Sequence, residues 1–474
     1  MPAKKKLHFA GIGGIGMSAL AQMSASLGFA TSGSDRAAAS PENARIFNAL
    51  KAQGITIHPQ NGSVYNSGTP DILVYSTAVE SDNPDIAMAP GTVEHMHRSA
   101  ALKFLIEACN AKNMIAVTGT SGKTSVTAQM AEALYHLGMD PGVLCGGLVN
   151  KFITDGLAGN YRPMGENGYF VVEADESDKS LLNYTADTAL VLNIGTDHYS
   201  KEELSEVFRK FIVNTRKYVV LSDDVLAAVG ADACDGKQVM VFSAKNDAPD
   251  TICGFPVVKL DSYRAGTDGA FCAFDGTDEI PLRAPGFHNA LNALAVYGTL
   301  RLLGFEKADS RNAVCAFSGV WRRFDYAGRI SCGAAVYDDY AHNVEKILSC
   351  YGAAKSIAGG KVCLIFQPHG FKPFGFMREA LFEALEKNLA PEDIFALLPV
   401  YYAGGTSSFT PSSAEVAADY RTRSGNAYRY PDFPDRETAE KYLDDTLQNG
   451  DIAVVMGARD NSLAIWAKKI TKKT

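Results

Sequence analysis

Lys123 and Thr124 close the run Gly119-Thr-Ser-Gly-Lys-Thr124, and an ammonium and a hydroxyl set directly behind two glycines suit the holding of phosphate groups. Glycine lets a backbone curl until several N–H groups point into one concavity, and the start of a following helix adds partial positive charge. In such a cradle Gly119, Thr120, Ser121 and Gly122 supply backbone, Lys123 reaches the outer phosphates, and the Thr124 hydroxyl holds a magnesium ion, with Ser125 next in the turn. The spacing departs from the strict Walker form, because Val117 stands where that form has its first glycine. An ordinary tight turn is the plainer alternative for a single Gly-Lys-Thr.

Acidic and histidine side chains further on fit a cation beside those phosphates. Tyr169-Phe-Val-Val-Glu-Ala-Asp-Glu-Ser-Asp178 packs four acids into six residues behind an apolar run. Such a cluster is either a solvated loop or a place where a cation relieves the repulsion; in the second case Glu173, at the strand's end, faces a metal shared with Thr124 and a nucleotide. Ala189-Leu-Val-Leu-Asn-Ile194 leads into Gly195-Thr-Asp-His198. A lone histidine is commonly structural, yet one just past a third strand of the same sheet can join Glu173 as a metal ligand. A second glycine run, Gly11-Ile-Gly-Gly-Ile-Gly16, follows the apolar Leu7 to Ala10, and Asp35 lies where a Rossmann unit grips a ribose. By spacing alone it suits NAD, FAD, a nucleotide-sugar pyrophosphate or a purely structural turn. In Gly286-Phe-His-Asn-Ala-Leu-Asn292, Asn289 and Asn292 either cap a helix or present their amides to a base or sugar.

Strand, glycine loop and helix must therefore recur to position these groups. Met114 to Val117 predicts a buried strand and Lys123 to about Leu137 a helix; Leu7 to Ala10 and Met17 to Leu27 predict the same pair earlier. Ala44 to Gln53 and Ala100 to Ala108 continue as helices, Ile55 to Ile57 and Ile72 to Tyr75 as strands. Residues 232 to 282 predict an antiparallel appendage, and a helix follows to Leu303. Beyond Arg322-Arg-Phe-Asp325, apolar runs at 335, 361, 394 and 451 predict another alternating α/β unit, with a mobile loop from Ala403 to Ser413. The 474 residues are too many for one core and divide here into three α/β domains, 1–109, 110–326 and 327–474. A formal charge of -8 excludes a nucleic-acid footprint. Nine dispersed cysteines predict reduced thiols in a cytoplasm, and the short, glycine-broken apolar stretch after Lys6 predicts neither a signal peptide nor a membrane span.

Taken in order, Gly-Ile-Gly-Gly-Ile-Gly-Met-Ser18, Gly-Thr-Ser-Gly-Lys-Thr124, Glu-Ala-Asp-Glu-Ser-Asp178, Asp-His198, His-Asn-Ala-Leu-Asn-Ala293, Arg-Arg-Phe-Asp325, Asp-Asp-Tyr-Ala-His342 and Phe-Gln-Pro-His369 resemble the Mur ligase family. The resemblance spans residues 7 to 460 and leans towards the alanine-adding branch. It implies an ATP-dependent amide ligase that joins L-alanine to UDP-N-acetylmuramate, as a monomer or homodimer with no nucleic-acid or membrane partner. Three domains are implied: a Rossmann-like one for the UDP-sugar, a central P-loop ATPase-type α/β one for ATP and magnesium, and a second Rossmann-like one that brings the amino acid and closes. Gly11, Ile12, Gly13, Gly14, Ile15, Gly16, Met17 and Ser18 would cradle the UDP pyrophosphate, with Asp35 nearby. Lys123 would hold the ATP phosphates, and Thr124, Glu173 and His198 would place magnesium. Asn289 and Asn292 are similar to the family's adenine-side asparagines. Arg323 resembles an arginine reaching the γ-phosphate from the domain junction, and Asp339 and His342 resemble residues around ATP and the amino acid.

Several positions depart from the alanine-adding pattern. Ser121 stands where that branch shows histidine, and Tyr340-Ala-His-Asn-Val344 where it shows Tyr-Gly-His-His-Pro. After His369, Gly370-Phe-Lys-Pro-Phe-Gly375 replaces an arginine-rich segment, and Ala458-Arg-Asp-Asn461 a glycine-rich one. Lys372 is a point charge that does not reproduce a bidentate fork for carboxylates. The ATP machinery therefore reads as intact, and the acceptor side, with His342, His369 and Lys372, as altered. A paralogous ligase with a different amino acid or acid is the next reading. A nucleotide-binding module without catalysis and a nicotinamide-dependent oxidoreductase are the readings from other classes.

Overall fold

Alternating strands and helices gather into three sheets in the computed structural model, which describes residues 5–176, 179–195, 200–402, 409–426 and 428–472. The first sheet holds five parallel strands in the order Thr56–His58, Ala30–Ser34, Lys6–Ala10, Ile72–Tyr75, Glu94–His97. Parallel strands bury both faces. Leu7 and Phe9 accordingly pack in the main core, while Ala10 joins a smaller cluster with Leu73 and Val93. The edge strand Glu94–His97 reads Glu-His-Met-His and escapes a search for apolar runs, because its backbone pairs on one side only.

The second sheet runs Ile280–Leu282, Gly269–Phe274, Phe255–Gly266, Gln238–Ser243, Tyr218–Ser222, Thr188–Val191, Asn113–Thr118, Tyr169–Glu173, Gly142–Leu144, Tyr161–Arg162. Asn113–Thr118 is parallel to both neighbours, with Val117 opposite Glu173 and Thr118 opposite Val191. The chain builds outward from this strand first to one side and then to the other. That makes it the switch point, where open α/β sheets form a crevice beyond their carboxyl ends. One expectation needs correcting: Gln238–Ser243 does not begin an antiparallel appendage but pairs parallel with Tyr218–Ser222. Its Val-Met-Val-Phe core fits either kind of partner, since a short apolar run does not specify strand direction.

The third sheet has the order Asp325–Arg329, Ala335–Asp339, Ile452–Met456, Val362–Phe366, Ile394–Leu397; the first pair is antiparallel and the rest parallel. Alternation distributes its residues to two cores, Leu364 and Val454 to one and Cys363 and Val455 to the other. The chain forms two compact units. One comprises Met1–Ser262, Cys272–Ile280 and His288–Trp321, and the other Tyr263–Phe271, Pro281–Phe287 and Arg322–Thr474. In the first unit a single hydrophobic cluster runs on from Phe9 and Met23 of the first sheet's layer to Tyr161 and Phe170 of the second. Of the loop expected at 403–413, residues 403–408 lie outside the described residues, and Ser412 caps the helix Ser413–Ser424 through a reciprocal pairing with Glu415. No helix among the described residues is long and apolar enough to cross a membrane.

Candidate active site

The buried strand Asn113–Thr118 ends at Gly119, whose φ of 140° and the φ of 87° at Gly122 lie where side chains are strained. Space is short as well: a Cβ on Gly119 would stand 3.0 Å from that of Leu192, and one on Gly122 2.7 Å from Asn292 Oδ1. The neighbouring strand's end holds the loop open. Asn193 accepts the Ser121 N–H at 2.9 Å and donates to the Ser121 carbonyl at 2.9 Å, while the Gly195 N–H donates to Thr120 Oγ1 at 2.8 Å. Asn292 is buried in the second turn of the helix Phe287–Leu302, one turn beyond Asn289, to which it donates at 3.4 Å. Both lie inside the helix and not at its cap. Lys123, Thr124 and Ser125 form the first turn of the helix Lys123–His136.

Each described acid of the cluster has its own partner. Lys123 Nζ donates to the Gly119 carbonyl at 2.9 Å and lies 2.7 Å from Glu176. Burial pushes the Glu176 carboxyl above its ordinary pKa, against the pull of Lys123. Thr124 Oγ1 donates to Glu173 Oε1 at 2.9 Å, and Glu173 Oε2 accepts the Gly146 N–H at 2.7 Å. Asp175 faces Arg98 at 3.8 Å. A solvated loop does not describe this arrangement. Thr124 and Glu173 bring together two oxygen donors of the kind a hard cation takes. The expected third ligand, His198, lies outside the described residues, as do Ser177 and Asp178.

The earlier glycine loop is built differently. The N–H groups of Gly11 and Ile12 donate to the Ser34 carbonyl at 2.8 and 3.0 Å. Asp35 accepts the Gly13 N–H at 2.9 Å with one oxygen and the Ala37 N–H at 2.8 Å with the other, so it clasps the loop to the second strand. A Cβ on Gly13 would lie 2.8 Å from Phe47 and 2.9 Å from Asp35. Ile12 and Met17 pack in the core, and the buried Ser18 hydroxyl donates to the Ile15 carbonyl at 3.0 Å and accepts from Asn160 at 2.8 Å. Gly14 precedes the helix Ile15–Ser26, so Ile15, Gly16 and Met17 occupy its first turn, where N–H groups have no intrahelical acceptor. What this loop offers a ligand is backbone, which suits an anion.

In the second unit the two adjacent arginines part ways. Arg322 is fully buried, with Nε 3.2 Å from Asp338 and further bonds to the carbonyls of Asp460 at 2.9 Å and Gly457 at 2.6 Å. Arg323 is half-buried, its guanidinium 5.7 Å from the centre of the Tyr340 ring. Asp339 accepts the N–H groups of Phe324 and Ala341 at 2.7 Å each, and burial raises its pKa. His342 Nδ1 lies 2.8 Å from the Tyr340 carbonyl and can only donate to it, which leaves Nε2 as an acceptor. Burial holds the His342 pKa below the ordinary imidazole value, with Lys346, Arg323 and Arg459 pushing the same way. His369, its ring 5.5 Å from that of His342, is pushed down to about 4 by burial, His342 and Arg459. Lys372 is exposed in the first turn of the helix Phe371–Asn388, so the segment 370–375 is a helix start.

Sequence reasoning passed over Glu176, Asn193, Gly146 and Arg459. Two of them left a signal there, Glu176 as one of the four clustered acids and Arg459 in the unusual Ala458-Arg-Asp-Asn run; the Arg459 N–H meets the Tyr340 hydroxyl at 3.3 Å.

Three family descriptions match the chain: Mur ligase family, catalytic domain, over residues 6–109; Mur ligase middle domain over 117–300; and Mur ligase, glutamate ligase domain, over 322–459. Two curated relatives named UDP-N-acetylmuramate--L-alanine ligase are similar over almost the whole length. That of Rhizobium meliloti is 31% identical over 98% of this chain and 96% of its own, and that of Agrobacterium fabrum 32% over 97% and 95%. Among solved structures, the UDP-N-acetylmuramate-alanine ligase of Thermotoga maritima superposes with a TM-score of 0.76 at 28% identity, covering 99% of this chain and 98% of the other. A murein peptide ligase from Psychrobacter arcticus reaches 0.65 at 21% identity, with 99% of each chain covered, and speaks for the fold alone.

Proposed function

The chain belongs to the Mur ligase family, and from that premise we propose that it is an ATP-dependent ligase joining L-alanine to the carboxylate of UDP-N-acetylmuramate, a step of peptidoglycan precursor synthesis. The observation that carries this reading is the pairing of Lys123 with a Thr124–Glu173 contact at the sheet's carboxyl edge, in a chain that relatives of that name match almost end to end. A carboxylate is a poor electrophile. Its oxygen therefore attacks the γ-phosphorus, the bond to ADP breaks, and an acyl phosphate forms. The amine then attacks the acyl carbon, and phosphate leaves with the C–O electrons.

Phosphoryl transfer asks a protein mainly for positioning and charge neutralisation. In this reading the loop 119–122 holds ATP phosphates on backbone N–H groups, and Lys123 exchanges Glu176 and the Gly119 carbonyl for phosphate oxygens. Thr124 and Glu173 would hold magnesium, with His198 added from the family pattern; when bound, the ion neutralises phosphate charge. Asn289 and Asn292 serve the adenine side, and Arg323 and Asp339 carry the nucleotide-binding roles that the family pattern gives them. The loop 11–16 and the first turn after it bind the UDP pyrophosphate, kept in shape by Asp35. His342, neutral and with Nε2 as acceptor, takes the proton that the attacking amine must lose. The reading is of a cytoplasmic enzyme.

The test is phosphate release from ATP with magnesium and UDP-N-acetylmuramate, adding each amino acid separately. Stimulation by L-alanine alone, with the amide product seen by mass, is the expected result. The exposed Lys372, in place of arginines, favours one second reading, a paralogous ligase with another acceptor; stimulation by a different amino acid would install it.

A further inference from the structure

Between the helix Ile15–Ser26 and the second sheet lies a buried cluster of amides that no step above uses. Ser18, Gln22 and Asn160 are wholly buried. Asn160 Nδ2 donates to the Ile15 carbonyl at 2.6 Å and to Ser18 Oγ at 2.8 Å, and its Oδ1 accepts from Gln22 Nε2 at 2.9 Å. Gln22 Nε2 also donates to the Ser18 carbonyl at 3.1 Å. Gln22 Oε1 in turn accepts the Ala158 N–H at 3.3 Å and Gln53 Nε2 at 3.0 Å; Gln53 also donates to the Gly156 carbonyl at 2.7 Å. Both N–H donors of each of the three amides are used. A saturated buried network of this kind admits one arrangement, because any slip strands a polar group away from water.

The backbone of Asn160 points the other way along the same chain of contacts. Its carbonyl accepts the Cys145 N–H at 2.9 Å. The next residue, Gly146, donates its N–H to Glu173 at 2.7 Å, and Glu173 accepts the Thr124 hydroxyl at 2.9 Å. Asn160 thus ties the first turn of the helix behind one glycine loop to the carboxylate beside the other. Hydrophobic packing alone would not do this, since it is non-directional and tolerates sliding.

We propose that Asn160 is a positioning residue for the ligation: it fixes the separation and register of the two ligand loops, so that the sugar acid's carboxylate meets the γ-phosphate. This rests on the function proposed above. Reacting atoms must be held about 3–3.5 Å apart, and a misplacement of about 1 Å costs on the order of 100-fold in rate. Asn160 touches neither ligand in this scheme; it acts through Ile15 on one side and through Cys145, the neighbour of Gly146, on the other.

The experiment compares wild type with Asn160→Ala, Ser18→Ala and Gln53→Ala. It measures binding of UDP-N-acetylmuramate alone and of magnesium with a non-hydrolysable ATP analogue alone, by calorimetry, and kcat for phosphate release. Asn160→Ala is expected to lower kcat by about 10- to 100-fold while each ligand, offered singly, binds within about threefold of wild type. Ser18→Ala, which removes one acceptor of Asn160 and folds if the larger change does not, moves kcat in the same direction by less. Gln53→Ala, at the outer end of the network, leaves kcat unchanged. An unchanged kcat in both Asn160→Ala and Ser18→Ala overturns the proposal, and so does a loss of kcat matched by equal losses in both single-ligand affinities. Wild type that binds neither ligand would instead sink the function it rests on.

Discussion

The loops 11–16 and 119–122 are the same device, a strand that breaks into glycines and re-forms as a helix, and they differ in what they leave available. The first spends its side chains on structure: Ile12 and Met17 in the core, Ser18 on Asn160, and Asp35 on the N–H groups of Gly13 and Ala37. Backbone remains, and backbone can hold an anion without changing it. The second keeps Lys123 and Thr124 at the sheet's edge, each already facing a carboxylate. A cation and a potential metal ligand allow charge to be neutralised as it shifts during a reaction. In the function proposed above, one motif serves binding and the other chemistry, and the difference lies in two side chains behind the glycines.

The sharpest break of that contrast is Lys123→Ala. Turnover, followed by phosphate release, is expected to fall on the order of 100- to 1,000-fold, as for loss of a charge-stabilising donor, while UDP-N-acetylmuramate binding holds. Retained turnover would make the two loops equivalent. Glu173→Gln comes next: half-maximal activity should need about 10- to 100-fold more magnesium, read from a magnesium titration, with the UDP-sugar KM unmoved. Asp35→Asn sharpens the comparison from the other side. It weakens charge-assisted bonds from Gly13 and Ala37, and the KM for UDP-N-acetylmuramate should rise about tenfold with kcat and the ATP KM unchanged.

The smallest effect concerns pH, through the histidines that belong to neither loop. His342 and His369 have native pKa values below the ordinary imidazole value, His369 at about 4. The unfolded chain therefore binds more protons between about pH 6.5 and 4, and the stability these groups contribute above 6.5 is lost as pH falls through that window. Thermal melts from pH 7 down to 5 should show it, and His369→Asn should flatten the trend.

Much of the fold is legible along the chain. The strand Ile72–Tyr75 and the start of the helix Lys123–His136 fall at the residues their apolar pattern and glycines indicate. Glu94–His97 is not legible, because an edge strand needs no apolar run. The direction of Gln238–Ser243 is not legible either, because its partner Tyr218–Ser222 is chosen by the whole sheet. Among candidate site residues, the acid cluster shows where charge gathers but not which acid meets which partner. Arg322 and Arg323 look alike in sequence, and burial against Asp338 and the carbonyls of Gly457 and Asp460 makes Arg322 the anchor.

What the sequence determined by itself is local: glycines at Gly119 and Gly122, whose backbone conformations few other residues adopt, and a cation and hydroxyl placed one step behind them. What only the tertiary structure decided is distant: Thr124 against Glu173, Lys123 against Glu176, and Asn160 beneath the helix that starts at Ile15. Backbone strain is paid within a residue or two and so is written in residue type. A hydrogen bond between residues that lie 145 apart exists only when two sheets and their helices have packed to bring its ends together.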